Sequence, residues 1–331
     1  MSTAAIDRAV ALLRAGELVA FPTETVYGLG GDAANPAAVA RIFAAKGRPA
    51  DHPLIVHLAD AAAIDTWATD VPRSARQLGA AFWPGPLTLI LRRSARVTDA
   101  VSGGQDTVGL RVPGQPLALE LLRRFAGAGS GGLAAPSANR FGRISPTTAA
   151  HVRAEFGDAL PLILDGGACA VGIESTIVDL SRGAPTILRP GAIGAAQIAA
   201  ALGVPLGATD QTRPPPRVSG SLAAHYAPLT PLRLVPADEM VAAVGDLLAA
   251  ERRLAVLARR AAPFADPRLQ WRRLPEEAPA FARELYAALR AADGAGADAI
   301  LVEAPPGGPD WLAVADRLQR AARGSGADNT P

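Results

Sequence analysis

The sequence predicts an α/β protein in two parts, a mixed-sheet domain over residues 1–204 and a smaller α/β layer domain over 229–323, joined by a long connector at 205–228. Three observations predict it. Helical and strand-like segments alternate up to about residue 204. Several strand candidates lie too close together for the crossover that a parallel pair requires, so the sheet is mixed. Pro214-Pro215-Pro216, flanked by arginines and small polar residues, then marks a change of character that suits an extended, semi-rigid connector. A length of 331 residues accommodates one large or two ordinary domains.

Ile6, Val10 and Leu13 fall at helical spacing with Gly16 as the stop, and Leu18-Val19-Ala20-Phe21 follows as a strand. Asn35-Pro36 is a cap followed by a first-turn proline, and Val39, Ile42 and Phe43 mark one face of a helix that carries Lys46 at its far end. Strands are expected at 54–58, 87–91, 108–112, 160–164, 176–180 and 186–188. Beyond the connector the pattern gives strands at 232–235, 254–258 and 299–302, helices near 237–252 and 278–292, and a last helix from Asp310, a Rossmann-like alternation. The tail from Gly324 to Pro331 reads as disordered.

Composition narrows the function. Hydrophobic residues make up 49% and charged residues 19%, which excludes a mainly disordered chain. A net charge of +2 argues against a general polyanion-coating protein and leaves room for a local basic pocket. The single cysteine, Cys169, excludes a disulfide framework and a multi-cysteine zinc site and suits the cytoplasm. It reads as a small buried apolar residue rather than a catalyst. No run of 18 uncharged apolar residues points to a membrane. Lys46 is the only lysine, against 32 arginines. Genome composition and chance survival explain such a bias, and so does a need for a compact ammonium at that one position.

Three segments carry residues suited to a small polar or anionic ligand. Pro22-Thr23-Glu24-Thr25-Val26-Tyr27-Gly28-Leu29-Gly30-Gly31 follows a strand and offers hydroxyls, a carboxylate and a phenol beside glycines; the same run also reads as a polar turn, and it holds neither standard nucleotide fingerprint. In Lys46-Gly47-Arg48-Pro49 the glycine lets the chain turn so that an ammonium and a bidentate guanidinium can face one anion, although a helix carboxyl end attracts cations without a ligand. His52 and His57 lie close behind, the latter readable as a core histidine or a ligand. Ser137 and Asn139 are alternate residues that share a face if extended, followed by Ser145, while Ser175 and Arg189 sit at strand boundaries.

From Leu18 to Gly191 the chain resembles the YrdC-like fold, and with its connector and second domain it is similar to the long, two-domain threonylcarbamoyl-AMP synthases. The resemblance is carried by the Pro22 to Gly30 run, by Lys46-x-Arg48 with Ser137-x-Asn139, and by His225-Tyr226-Ala227-Pro228 in the connector. It implies condensation of L-threonine, bicarbonate and ATP into threonylcarbamoyl-adenylate and pyrophosphate. That product feeds the t6A modification at position 37 of tRNAs that decode ANN codons, with a separate threonylcarbamoyl transferase machinery acting on the tRNA. By position in the motifs, Thr25, His57, Arg111 and Ser175 are expected to hold threonine. Arg48, His52, Thr107, Ser137, Ser145, Arg189 and Tyr226 are expected to hold ATP, with Lys46 and Asn139 completing the nucleotide set. Lys46 and Arg48 are the expected catalytic groups, and Mg²⁺ is expected to be held mainly by the phosphates, without protein ligands.

Three positions depart from the family's pattern: His52 stands where asparagine is usual, Ala135 precedes Ser137 without a hydroxyl, and Ser219 occupies a connector position where proline is common. A connector that brings His225 and Tyr226 over the first domain's cleft would exclude water from a labile carbamate and mixed anhydride, the function of a lid; an inert spacer is the alternative reading. Two rivals remain at this level. An RNA-binding module of the same fold would suit Arg140 and Arg143, with weak tRNA binding as its trace, but aromatics are only 5% and none interleave with an arginine run. A carbamoyl-adenylate synthase of the hydrogenase-maturation type would need a zinc segment that one cysteine excludes.

Overall fold

The computed structural model describes residues 3–206 and 214–326. They fall into two compact units, Met1–Phe141 with Pro146–Ser221 and Gly142–Ser145 with Leu222–Pro331.

In the first unit, helix α1 (Thr3–Arg14) precedes β1 (Val19–Phe21) and β2 (Gly28–Asp32), and α2 (Pro36–Lys46) precedes β3 (Ile55–Leu58). The remaining strands are β4 (Ala68–Thr69), β5 (Leu87–Arg93), β6 (Thr107–Arg111), β7 (Gly132–Ala134), β8 (Thr176–Asp179) and β9 (Thr186–Arg189). Among the described residues they form one sheet in the order β1-β2-β7-β3-β6-β5-β8-β9, with β4 added to β5. The expected mixture is present: β3 and β6 pair parallel, as do β5 and β8, and the other ladders are antiparallel. Residues in register share a face of a pleated sheet, and the face alternates along each strand. Val56, Leu89, Val108, Leu110 and Val178 therefore point together into the main apolar core. Ile55, Thr107, Gly109, Thr88, Ile90 and Ile177 line the opposite face, and that face carries the polar residues considered below.

Local chemistry explains the element that delivers the basic motif. The Asn35 side chain accepts from the N–H groups of Ala37 and Ala38, Pro36 supplies the first turn, and Gly47 ends α2 in the left-handed conformation at φ 60°. Two expectations are corrected. Residues 160–164 form no strand; Ile163 makes one isolated bridge to Ala20, because only the β1 edge is available there. The glycine motif, where no strand was expected, contains β2, which pairs antiparallel with β1. A Cβ on Gly30 would stand 2.7 Å from the Phe21 ring, so this glycine serves packing of strand on strand.

In the second unit β10 (Leu232–Val235), β11 (Leu254–Ala258), β12 (Leu269–Arg273) and β13 (Ala299–Glu303) form an all-parallel sheet in the order β10-β13-β11-β12. Helices Met240–Ala249, Ala278–Asp293 and Leu312–Gly324 connect and follow these strands. The last helix begins at Leu312, after a short 3-10 turn at Pro309–Trp311, rather than at Asp310. Gly324 closes that helix and the Leu232 N–H donates to the Ser325 hydroxyl at 2.9 Å, so disorder does not begin at residue 324. The rest of the expected tail, 327–331, and connector residues 207–213 lie outside the described residues. No helix among those described is long and apolar enough to cross a membrane.

Candidate active site

Lys46 is 2% exposed at the end of α2. Its ammonium donates to the Ser137 carbonyl at 2.6 Å and to the Asn139 carbonyl, so the two halves of the expected quartet meet through backbone oxygens. Burial first, and then the charge of Arg48, holds its pKa well below the ordinary lysine value of 10.5. A point-charge ammonium fits between two carbonyls where a planar guanidinium does not, which gives the lone lysine a structural reason. Asn139 is buried and its amide donates to the Arg140 carbonyl. Ser137 pairs by backbone with Gly28.

Arg48 is also buried. One of its terminal nitrogens donates to the Pro53 carbonyl at 2.9 Å and to the Ser219 hydroxyl at 3.0 Å, and the guanidinium lies 5.9 Å from the Phe141 ring centroid. His52 meets the same ring edge-on at 5.3 Å, and burial, followed by Arg48, lowers its pKa. Arg189 at the end of β9 donates to the Ser175 carbonyl at 2.9 and 3.1 Å, to the Ser175 hydroxyl at 3.1 Å and to the Ser219 carbonyl at 2.8 Å. Ser219 thus links two guanidinium groups from distant parts of the sequence.

The sheet face explains the remaining members. His57 and Arg111 are register partners on β3 and β6, and Thr107 lies on the same face at the start of β6. Burial, and next the Arg111 charge, pushes the His57 pKa down to about 3, so the ring is neutral. Arg111 donates to Glu24 Oε1 at 2.6 Å and to the Gly85 carbonyl at 3.3 Å. Ser175 shares a hydroxyl–hydroxyl hydrogen bond of 2.7 Å with Thr88. Thr25 is fully buried and hydrogen bonded to Thr23 at 2.8 Å. Tyr27 is structural: its hydroxyl donates to the Gly167 carbonyl at 2.8 Å, and burial pushes its pKa up to about 12.

Ser145 and Tyr226 belong to the second unit. Tyr226 is buried, stacks on Tyr286 with centroids 5.7 Å apart, and lies 5.5 Å from the Arg317 guanidinium. Its φ of 61° is a conformation that bulky residues rarely adopt, a local strain fixed by this packing. Cys169 is buried with its pKa pushed up to about 12, mainly by burial, which keeps it a thiol.

The sequence reading missed Glu24, Thr88 and Ser219 as partners. A signal existed for Thr88: in Leu87-Thr88-Leu89-Ile90-Leu91 the even positions face the site and the odd ones the core, an alternation the apolar content concealed. Connector residues Arg217 to Ser219 belong to the first unit. Val218 fills an apolar slot formed by Ile55, Ile90 and Ile177, and Arg217 donates to the Gly103 carbonyl at 2.8 Å.

Buried arginines, a neutral histidine and hydroxyls on one face of a mixed α/β sheet form a site of the class that can hold an anionic ligand. Comparison with known proteins makes the assignment specific. The family model described as telomere recombination matches residues 11–191, and the one described as threonylcarbamoyl-AMP synthase, C-terminal domain, matches 193–323. The threonylcarbamoyl-AMP synthase of Pyrococcus abyssi is 39% identical over 95% of this chain and 93% of its own, and that of Bacillus subtilis is 39% identical over 96% and 93%. The crystal structure of P. abyssi Sua5 complexed with L-threonine superposes with a TM-score of 0.86 at 38% identity, covering 96% of this chain and 94% of that one. The chain belongs to the threonylcarbamoyl-AMP synthase family, an enzyme family whose activity takes ATP as a substrate.

Proposed function

We propose that the polar sheet face of the first unit binds L-threonine and ATP side by side and joins them, with bicarbonate, into threonylcarbamoyl-adenylate. The observation that carries this reading is the contact between Arg189 and Ser175, one residue expected in each subsite, which supports neighbouring subsites. On the threonine side stand Thr25, His57, Arg111 and Ser175, a cation for the carboxylate beside hydroxyls and a neutral imidazole. On the ATP side stand Arg48, His52, Thr107, Ser137, Asn139 and Arg189, with Lys46 held between two carbonyls. Ser145 and Tyr226 join the ATP set on the resemblance alone.

The threonine amine takes up bicarbonate with loss of water to give a carbamate. A carbamate oxygen then attacks the α-phosphorus, and pyrophosphate leaves with the bonding electron pair. Charge grows on the phosphoryl oxygens and the leaving group, where Arg48, Arg189 and Lys46 stabilise it in a site screened from water. Among the described residues there is no group of three His, Cys, Asp or Glu that could hold a metal ion. Mg²⁺ carried in by the triphosphate would offset phosphate charge at this site. The product's further transfer to tRNA by a separate machinery, and a cytoplasmic setting, belong to the same proposal.

Pyrophosphate release is the test. Purified protein with ATP and bicarbonate should release it with threonine and far less with serine or no amino acid. Release independent of the amino acid, dependence on carbamoyl phosphate, or tight RNA binding without ATP turnover would each overturn the reading.

A further inference from the structure

We propose that Glu24 is the positioning residue that sets Arg111 for the substrate carboxylate, an inference that rests on Arg111 holding threonine. Arg111 is 4% exposed, and a guanidinium that deep needs partners to keep one orientation. Its Nη2 donates to Glu24 Oε1 at 2.6 Å and its Nε to the Gly85 carbonyl at 3.3 Å, while Nη1 makes no hydrogen bond with the described residues. Glu24 is fixed in turn. Its Oε2 accepts from the Gly114 N–H at 2.9 Å, and its own carbonyl accepts from the Val171 N–H at 2.7 Å.

The guanidinium plane is therefore clamped on one edge by a carboxylate that cannot swing, which leaves the other edge as the donor surface for an incoming carboxylate. Glu24 alone already offsets the charge of Arg111, so the incoming carboxylate is held by directed hydrogen bonds rather than by net charge, and His57, its neutral neighbour across the register, adds none. Glu24 touches neither reacting atom. Its contribution is orientation, held before the substrate arrives.

The test measures L-threonine binding by calorimetry without ATP, and KM for each substrate, in Glu24→Gln, Glu24→Asp and Arg111→Ala. Glu24→Gln should weaken threonine binding about tenfold and leave KM for ATP within about twofold, and it should add nothing in the Arg111→Ala background. Glu24→Asp, which keeps the charge but shortens the reach, should lie between wild type and Gln. Unchanged or tighter threonine binding in Glu24→Gln, while Arg111→Ala weakens it, would overturn the positioning role alone. Equal losses for both substrates with a lowered Tm would also overturn it, in favour of a structural role. Unchanged threonine binding in Arg111→Ala would remove the underlying reading, and the proposal with it.

Discussion

Arg48 donates to the hydroxyl of Ser219 at 3.0 Å, so a buried cation of the expected nucleotide set is held by the connector. If Arg48 serves the transferring phosphates, Arg48→Ala lowers kcat/KM for ATP by about 10²- to 10³-fold, in line with loss of one preorganised charge-stabilising donor. Ser219→Ala keeps the cation and should cost far less. Steady-state pyrophosphate release on the two variants checks both.

Lys46 gives a second expectation. Its ammonium satisfies two buried carbonyls, and Lys46→Met leaves both without that donor. The first unit should lose about 1–3 kcal/mol of stability along with its activity, and Lys46→Arg should not restore either. Denaturant melts read beside activity measure this.

The pH dependence of stability follows from His57. Its folded pKa of about 3 lies below the ordinary 6.5, so between those values the unfolded chain carries a proton that the folded one does not. The contribution is fully present above about pH 6.5 and is lost as pH falls towards about 3, by as much as ~5 kcal/mol. His57→Gln should flatten the stability profile across that window, as followed by unfolding in denaturant at several pH values. Threonine binding should show no titration of His57 near neutrality.

Gly30→Ala should destabilise by about 1–3 kcal/mol, since the new methyl meets the Phe21 ring at 2.7 Å. Phe21→Leu in the same chain should recover part of the loss. A thermal melt of the single and double variants decides whether this glycine serves packing or substrate.

The sequence made the local grammar readable. Asn35, Pro36 and Gly47 specify where α2 begins and ends, and hence where Lys46 stands. The strands Leu232–Val235 and Leu254–Ala258 were legible as apolar runs bounded by polar residues. What hid was pairing over distance. Nothing near Glu24 indicates Arg111, 87 residues on, and nothing near Arg48 indicates Ser219, because such contacts arise from the register of the sheet and the course of the connector. β2 and β7 were concealed by glycine and alanine, which strand propensity disfavours and which here let neighbouring rings approach. The run at 160–164 had strand chemistry without a neighbour to complete a ladder.

Four residues give the chain's layout a practical consequence. Gly142–Ser145 interrupt the first unit yet belong to the second. There Ala227 donates to the Gly142 carbonyl, Arg143 pairs with Asp293 at 3.0 Å, and Arg290 reaches the carbonyls of Ile144 and Ser145. A gene cut after the connector would therefore yield a carboxyl-terminal fragment missing a piece of its own fabric, and an amino-terminal fragment carrying a segment whose partners were left behind. Modular swapping of these halves has to transplant that short insert as well.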